Sequence, residues 1–80
     1  MKLKYFEHRE AYCFLLVFEN GESQEADLKE LLADHLSLDA VHTARIDADW
    51  GCLEFNNGMV DIEPKTLYQV VTAKRFEAAA

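Results

Sequence analysis

The side chains equipped for chemistry concentrate between positions 47 and 63. Asp47, Asp49, Glu54, Asp61 and Glu63 gather around one predicted hairpin unit. Carboxylates that converge can hold a divalent cation or share a proton for acid–base work. Asp47-Ala48-Asp49-Trp50-Gly51 begins the alternating oxygen spacing of a calcium loop and supplies a glycine for the bend. A calcium loop closes on a bidentate glutamate at its twelfth position, and that position holds Gly58. The acids therefore read first as solvated turn and strand-edge carboxylates. Asp61 and Glu63 have a further structural use just ahead of Pro64, where a carboxylate accepts helix N–H groups and complements the helix dipole.

The other reactive residues are scattered. His8, His35 and His42 pair with no Cys or His at a zinc-like spacing. Cys13 and Cys52 lie in apolar, strand-like segments and read as small buried hydrophobes rather than nucleophiles or ligands. Ser23 and Ser37 lack the Gly-x-Ser-x-Gly turn that exposes a serine nucleophile. Trp50 stands at a turn between Asp49 and Gly51. It is expected to fold back on the sheet, since a bare indole at a loop tip exposes apolar area. The competing reading makes it a contact anchor, because Trp is enriched in binding hot spots.

These residues must be positioned by a single small domain spanning 1–80, with a tail expected to fray at 77–80. Half of the residues are hydrophobic, enough for one core. The net charge is −7, and no run of Lys or Arg interrupts it. Lys2, Lys4 and Lys74-Arg75 read as solvated ends, so direct binding to nucleic acid or to an anionic membrane surface is disfavoured. The charged opening residues lack the apolar stretch of a signal peptide, and Ala11 to Phe18, the longest apolar run, is too short to span a bilayer. A cytoplasmic location is the expectation.

Period and punctuation predict an α+β domain. It has a mostly antiparallel sheet of five or six strands, made of two hairpin or meander units, with a short middle helix and a longer C-terminal one. Residues 2–7 read as a first strand. Ala11 to Phe18 is apolar on both faces and reads as a central strand covered on both sides. Asn20-Gly21 predicts a type I′ turn into the polar edge strand Glu22 to Ala26. Asp27, as N-cap with Glu30 in the capping-box position, opens a helix over 28–35, and Leu28, Leu31 and Leu32 form its apolar face. Leu36 to Ala40 reads as a connector with room for a helical turn. Residues 41–48, Cys52 to Phe55 and Met59 to Ile62 read as a meander, with turns at Ala48–Gly51 and at Asn56-Asn57-Gly58. Pro64 opens the last helix, which runs to about Phe76 with Leu67, Tyr68 and Val71 toward the core.

Two stretches carry a family resemblance. Phe18-Glu19-Asn20-Gly21-Glu22, followed by Asp27-Leu28 and Leu31-Leu32, resembles an F-x-[DN]-G-E turn and D-L-x-x-L-L helix. Leu53-Glu54-Phe55-Asn56-Asn57-Gly58, then Asp61-Ile62-Glu63-Pro64-Lys65-Thr66-Leu67-Tyr68, resembles L-E-W-P-N-G and D-[IL]-x-P-x-T-L-Y. In order and spacing, from Leu3 to Val70, they are similar to the bacterial family known as domain of unknown function twenty-four forty-two. Phe55-Asn56 departs from the family's Trp-Pro. One extra residue stands between Gly58 and Asp61, and the connector from Ala33 to His42 lacks the usual aromatic. The resemblance implies a small mixed α and β domain without an established activity, similar in some members to antitoxin-like proteins encoded beside a small partner.

Together these readings favour a protein-interaction module over an enzyme. A protein partner or a second copy of the chain is the expected contact, with Trp50, Asp49 and Asp47 as contact residues. No catalytic residue, metal ligand or cofactor is assigned. The alternative is a small-ligand or divalent-cation-binding regulator using the acids around 47–63.

Overall fold

The computed structural model describes the backbone of residues 1–79 and the side chains of residues 1–72. Strands β1 (Leu3–His8), β2 (Cys13–Phe18) and β3 (Ser23–Asp27) form one antiparallel sheet in that spatial order. Strands β4 (Arg45–Ile46), β5 (Leu53–Phe55) and β6 (Val60–Ile62) form a second. Helix α1 (Lys29–Leu32) and a 3-10 helix (Leu38–Thr43) connect the sheets, and α2 (Pro64–Ala79) follows the second. The domain is α+β, as its periodicities predict. The strands divide into two three-stranded sheets rather than one larger one.

Local chemistry accounts for most of the turns. Asn20 does not take the left-handed φ of a type I′ turn; Gly21 alone does, at +90°. Gly21 donates its N–H to the Phe18 carbonyl and Phe18 donates to the Glu22 carbonyl, both at 2.9 Å. This is a three-residue loop closed on a left-handed glycine. Asn20 holds it by accepting the Glu22 N–H on its side-chain oxygen at 3.0 Å. The type I′ geometry appears at the second hairpin instead, where Asn56 and Asn57 take φ of 53° and 58°.

Helix α1 is much shorter than 28–35. Leu28 stands at its N-cap with no side-chain cap bond, and Asp27 accepts the Lys29 N–H at 2.9 Å in a local turn. Among the described residues no bond joins Asp27 and Glu30, so the capping box does not form. The predicted strand over 41–48 shrinks to Arg45–Ile46, because the 3-10 helix consumes its first half. The last helix runs past Phe76 to Ala79; the Phe76 side chain and Ala80 lie outside the described residues.

The core lies between the sheets and helices. β2 sends Phe14, Leu16 and Phe18 inward, and β5 sends Leu53 and Phe55. Phe14 and Phe55 meet edge to face with ring centroids 6.0 Å apart, joining the two sheets. Leu28, Leu32, Val41, Leu67 and Val71 close the interior from the helical segments. Tyr68 stands edge-on to Phe18 at 5.2 Å and reaches Glu22 with its hydroxyl. Tyr12 donates its hydroxyl to the Leu36 carbonyl at 2.6 Å, which pins the buried end of the connector.

The other face of β2 is not covered as fully as an all-apolar strand predicts. Cys13, Leu15 and Val17 are half-buried. Register places Tyr5 and Glu7 beside them on β1, and Ser23 and Glu25 on β3. Arg9 spans this face, 2.9 Å from Glu7 and 3.4 Å from Glu25. The Tyr5 hydroxyl donates to Glu7 at 2.6 Å, a bond that with partial burial and the Glu7 charge raises the phenol pKa.

Candidate functional site

Asp47 builds the turn that presents Trp50. Its side-chain oxygen accepts the Asp49 N–H at 2.9 Å, and its carbonyl accepts the Gly51 N–H at 2.7 Å. Gly51 then takes a left-handed φ of +73°. The turn is also bonded outward. The Gly51 carbonyl accepts the Leu3 N–H at 3.2 Å, and the Asp47 N–H donates to the Cys52 carbonyl at 3.0 Å. The indole at its tip is therefore carried on a braced loop.

Trp50 does not fold back on the sheet. It is 73% exposed, because the turn directs it away from the interior that Leu53 and Phe55 fill. The expectation that it would cover itself is corrected on this point.

Beside it opens a groove of about 480 Å³ lined by Met1, Asp47, Trp50, Cys52, Asp61, Glu63, Pro64 and Lys65. Three separate stretches meet there: the N-terminus, the Asp47–Cys52 turn, and the junction of β6 with α2. Asp47 and Trp50, two of the three predicted contact residues, share the groove; Asp49 is exposed on the same turn but does not line it.

Asp61 and Glu63 do not accept the helix N–H groups that the sequence assigns to them. Among the described residues no backbone N–H reaches either carboxylate, and the first helical bond runs from the Leu67 N–H to the Glu63 carbonyl at 3.1 Å. Neither carboxylate, nor that of Asp47, forms an ion pair with a described cation. Three acids of the sheets do meet a cation: Glu7 and Glu25 are met by Arg9, and Glu54 by Arg45 at 2.9 Å. Lys65 lines the groove without closing on any of its carboxylates.

Cys52 is only half-buried, contrary to its reading as a core residue, and it lines the groove. Burial first, then the charges of Asp61, Asp47, Glu63 and Glu54, push its thiol above the usual range. The group is thereby kept protonated at neutral pH, which suits a contact surface better than a nucleophile. Cys13 is likewise half-buried, on the outer face of the first sheet.

Among the described residues no three His, Cys, Asp or Glu side chains are placed to hold a metal ion together. No helix among them is long and apolar enough to cross a membrane. The sequence made Trp50 and Asp47 visible, but Met1, Cys52 and Lys65 carry no local signal of belonging to the same surface. No family model, curated protein or solved structure matches this chain.

Proposed function

We propose that this chain is a protein-interaction module that uses the turn bearing Trp50 as its contact anchor. The observation that carries the reading is an indole 73% exposed on a turn braced by hydrogen bonds to Asp47 and to β1. An exposed aromatic on a turn whose backbone is already bonded leaves only its own side chain to order on binding, which suits an interface anchor. The order of hairpin motifs supports membership of the family known as domain of unknown function twenty-four forty-two. By analogy it supports an antitoxin-like pairing with another small protein. The excess of acids favours a basic partner through electrostatic steering.

The test is recovery of the tagged full chain from its native lysate, with Trp50→Ala beside it and circular dichroism to show that both fold. A stoichiometric partner held by the parent and lost by Trp50→Ala supports the reading. A chain that runs alone at its monomer mass in both cases removes it.

A second reading is self-association through the outer face of the first sheet, where Tyr5 is 49% exposed beside half-buried Leu15 and Val17. Sedimentation across a concentration series distinguishes it, since only this reading makes the mass rise with concentration while Trp50→Ala leaves the rise intact.

A further inference from the structure

The groove beneath Trp50 has a composition that selects among partners. Its lining includes the Trp50 indole and the Pro64 ring, and its carboxylates Asp47, Asp61 and Glu63 form no ion pair among the described residues. Elsewhere Arg9 is shared between Glu7 and Glu25, and Arg45 pairs with Glu54. Other acids among the described residues, such as Glu10, Glu19, Asp34 and Asp39, also form no ion pair, but Asp47, Asp61 and Glu63 share one concave surface with an exposed indole. We propose that this groove docks an arginine-bearing segment of a partner protein, with the guanidinium among Asp47, Asp61 and Glu63 and its flat face on Trp50. This inference rests on the interaction-module reading and names the chemistry of the partner.

Arginine fits better than lysine for a physical reason. Its guanidinium is planar, stacks on an indole, and offers a fork of donors that two carboxylate oxygens can accept together. An ammonium is more strongly hydrated and cannot make the bidentate contact. Cys52 senses the same concentration of negative charge, since Asp61, Asp47 and Glu63 all act on its thiol. The groove also holds one cation of its own, Lys65, which competes with an incoming one. Removing that charge by Lys65→Gln is therefore expected to tighten binding.

Trp50 is the only tryptophan in the chain, so the intact protein carries its own reporter. The probes are capped heptapeptides with two arginines flanking a leucine, and the same peptide with lysine or with citrulline in place of arginine. Citrulline keeps the shape of arginine and removes its charge. The expected result is a saturable change in Trp50 emission with the arginine peptide, tighter by about ten-fold or more than with citrulline. It weakens as salt is raised, weakens by about ten-fold in Asp61→Asn/Glu63→Gln, and tightens in Lys65→Gln.

Equal responses to arginine and citrulline peptides, or an arginine response untouched by Asp61→Asn/Glu63→Gln, overturns the inference. The two readings fail separately. A native partner lost on Trp50→Ala, with no arginine selectivity in the peptides, sinks the arginine groove and leaves the module standing. A native partner retained by Trp50→Ala removes the anchor reading whatever the peptides do.

Discussion

Gly51→Ala tests how firmly the Trp50 turn is tied to the N-terminal strand. A Cβ built on Gly51 falls 2.5 Å from Lys2 Cβ, 2.7 Å from its Cγ and 2.9 Å from its Cα. The Cγ belongs to a flexible side chain, but Cα and Cβ move only with the backbone. That backbone is held by two hydrogen bonds, Leu3 N–H to the Gly51 carbonyl at 3.2 Å and Glu19 N–H to the Lys2 carbonyl at 2.9 Å. Ala at φ +73° costs about 1 kcal/mol in backbone strain. Forced displacement of a packed neighbour adds roughly 1–3 kcal/mol. Loss of the Leu3–Gly51 bond adds about 1 kcal/mol.

Gly21→Ala is the control. Gly21 has φ +90° but nothing within 4 Å of a new Cβ, so it pays the strain alone. The two variants should differ by roughly 2–4 kcal/mol. For so small a chain, a urea dependence of about 1 kcal/mol per M places their midpoints roughly 2–4 M apart. Urea titration followed by far-UV circular dichroism measures this directly. Adding Lys2→Ala to Gly51→Ala should restore little, because Lys2 Cα and Cβ remain. Equal midpoints for Gly51→Ala and Gly21→Ala would refute the contact between the turn and β1, and with it the braced position of Trp50.

The remaining expectations concern the groove and the core. In a Cys13→Ser background, the rate of Cys52 alkylation by iodoacetamide should rise with a midpoint above that of the same chain unfolded in urea. The midpoint should fall in Asp61→Asn. Because the folded thiol is the weaker acid, its contribution to stability is complete below the unfolded thiol pKa and is lost as pH rises through the folded one. A midpoint at or below the unfolded value would contradict the negative field. Tyr12→Phe removes the donor to the buried Leu36 carbonyl and should lower stability by about 1–2 kcal/mol by urea titration, with no change in the groove. Phe14→Ala removes a fully buried ring that joins the sheets and should cost roughly 3–5 kcal/mol by urea titration.

Turns and periods are local, and for that reason much of the architecture is readable along the chain. Asn20-Gly21 and Asn56-Asn57-Gly58 mark the two hairpins, Pro64 marks the start of the last helix, and Leu53, Phe55 and Leu67 are core positions from their spacing alone. The errors come where two local preferences compete. Asp27 satisfies the Lys29 N–H in a tight turn instead of capping a longer helix, and the alternating residues after Val41 yield to a 3-10 helix.

Residue types and order by themselves determined the α+β class, the paired hairpins, and the presence of an indole at a turn rich in acids. Tertiary structure decided the division into two sheets, the outward direction of Trp50, and the meeting of Met1, the Asp47–Cys52 turn and Asp61–Lys65 in one groove. The physical reason is that a turn is settled by hydrogen bonds a few residues apart. The groove exists only because Phe14 packs on Phe55 and Leu3 bonds to Gly51 across most of the chain, and no short window of residues contains either contact.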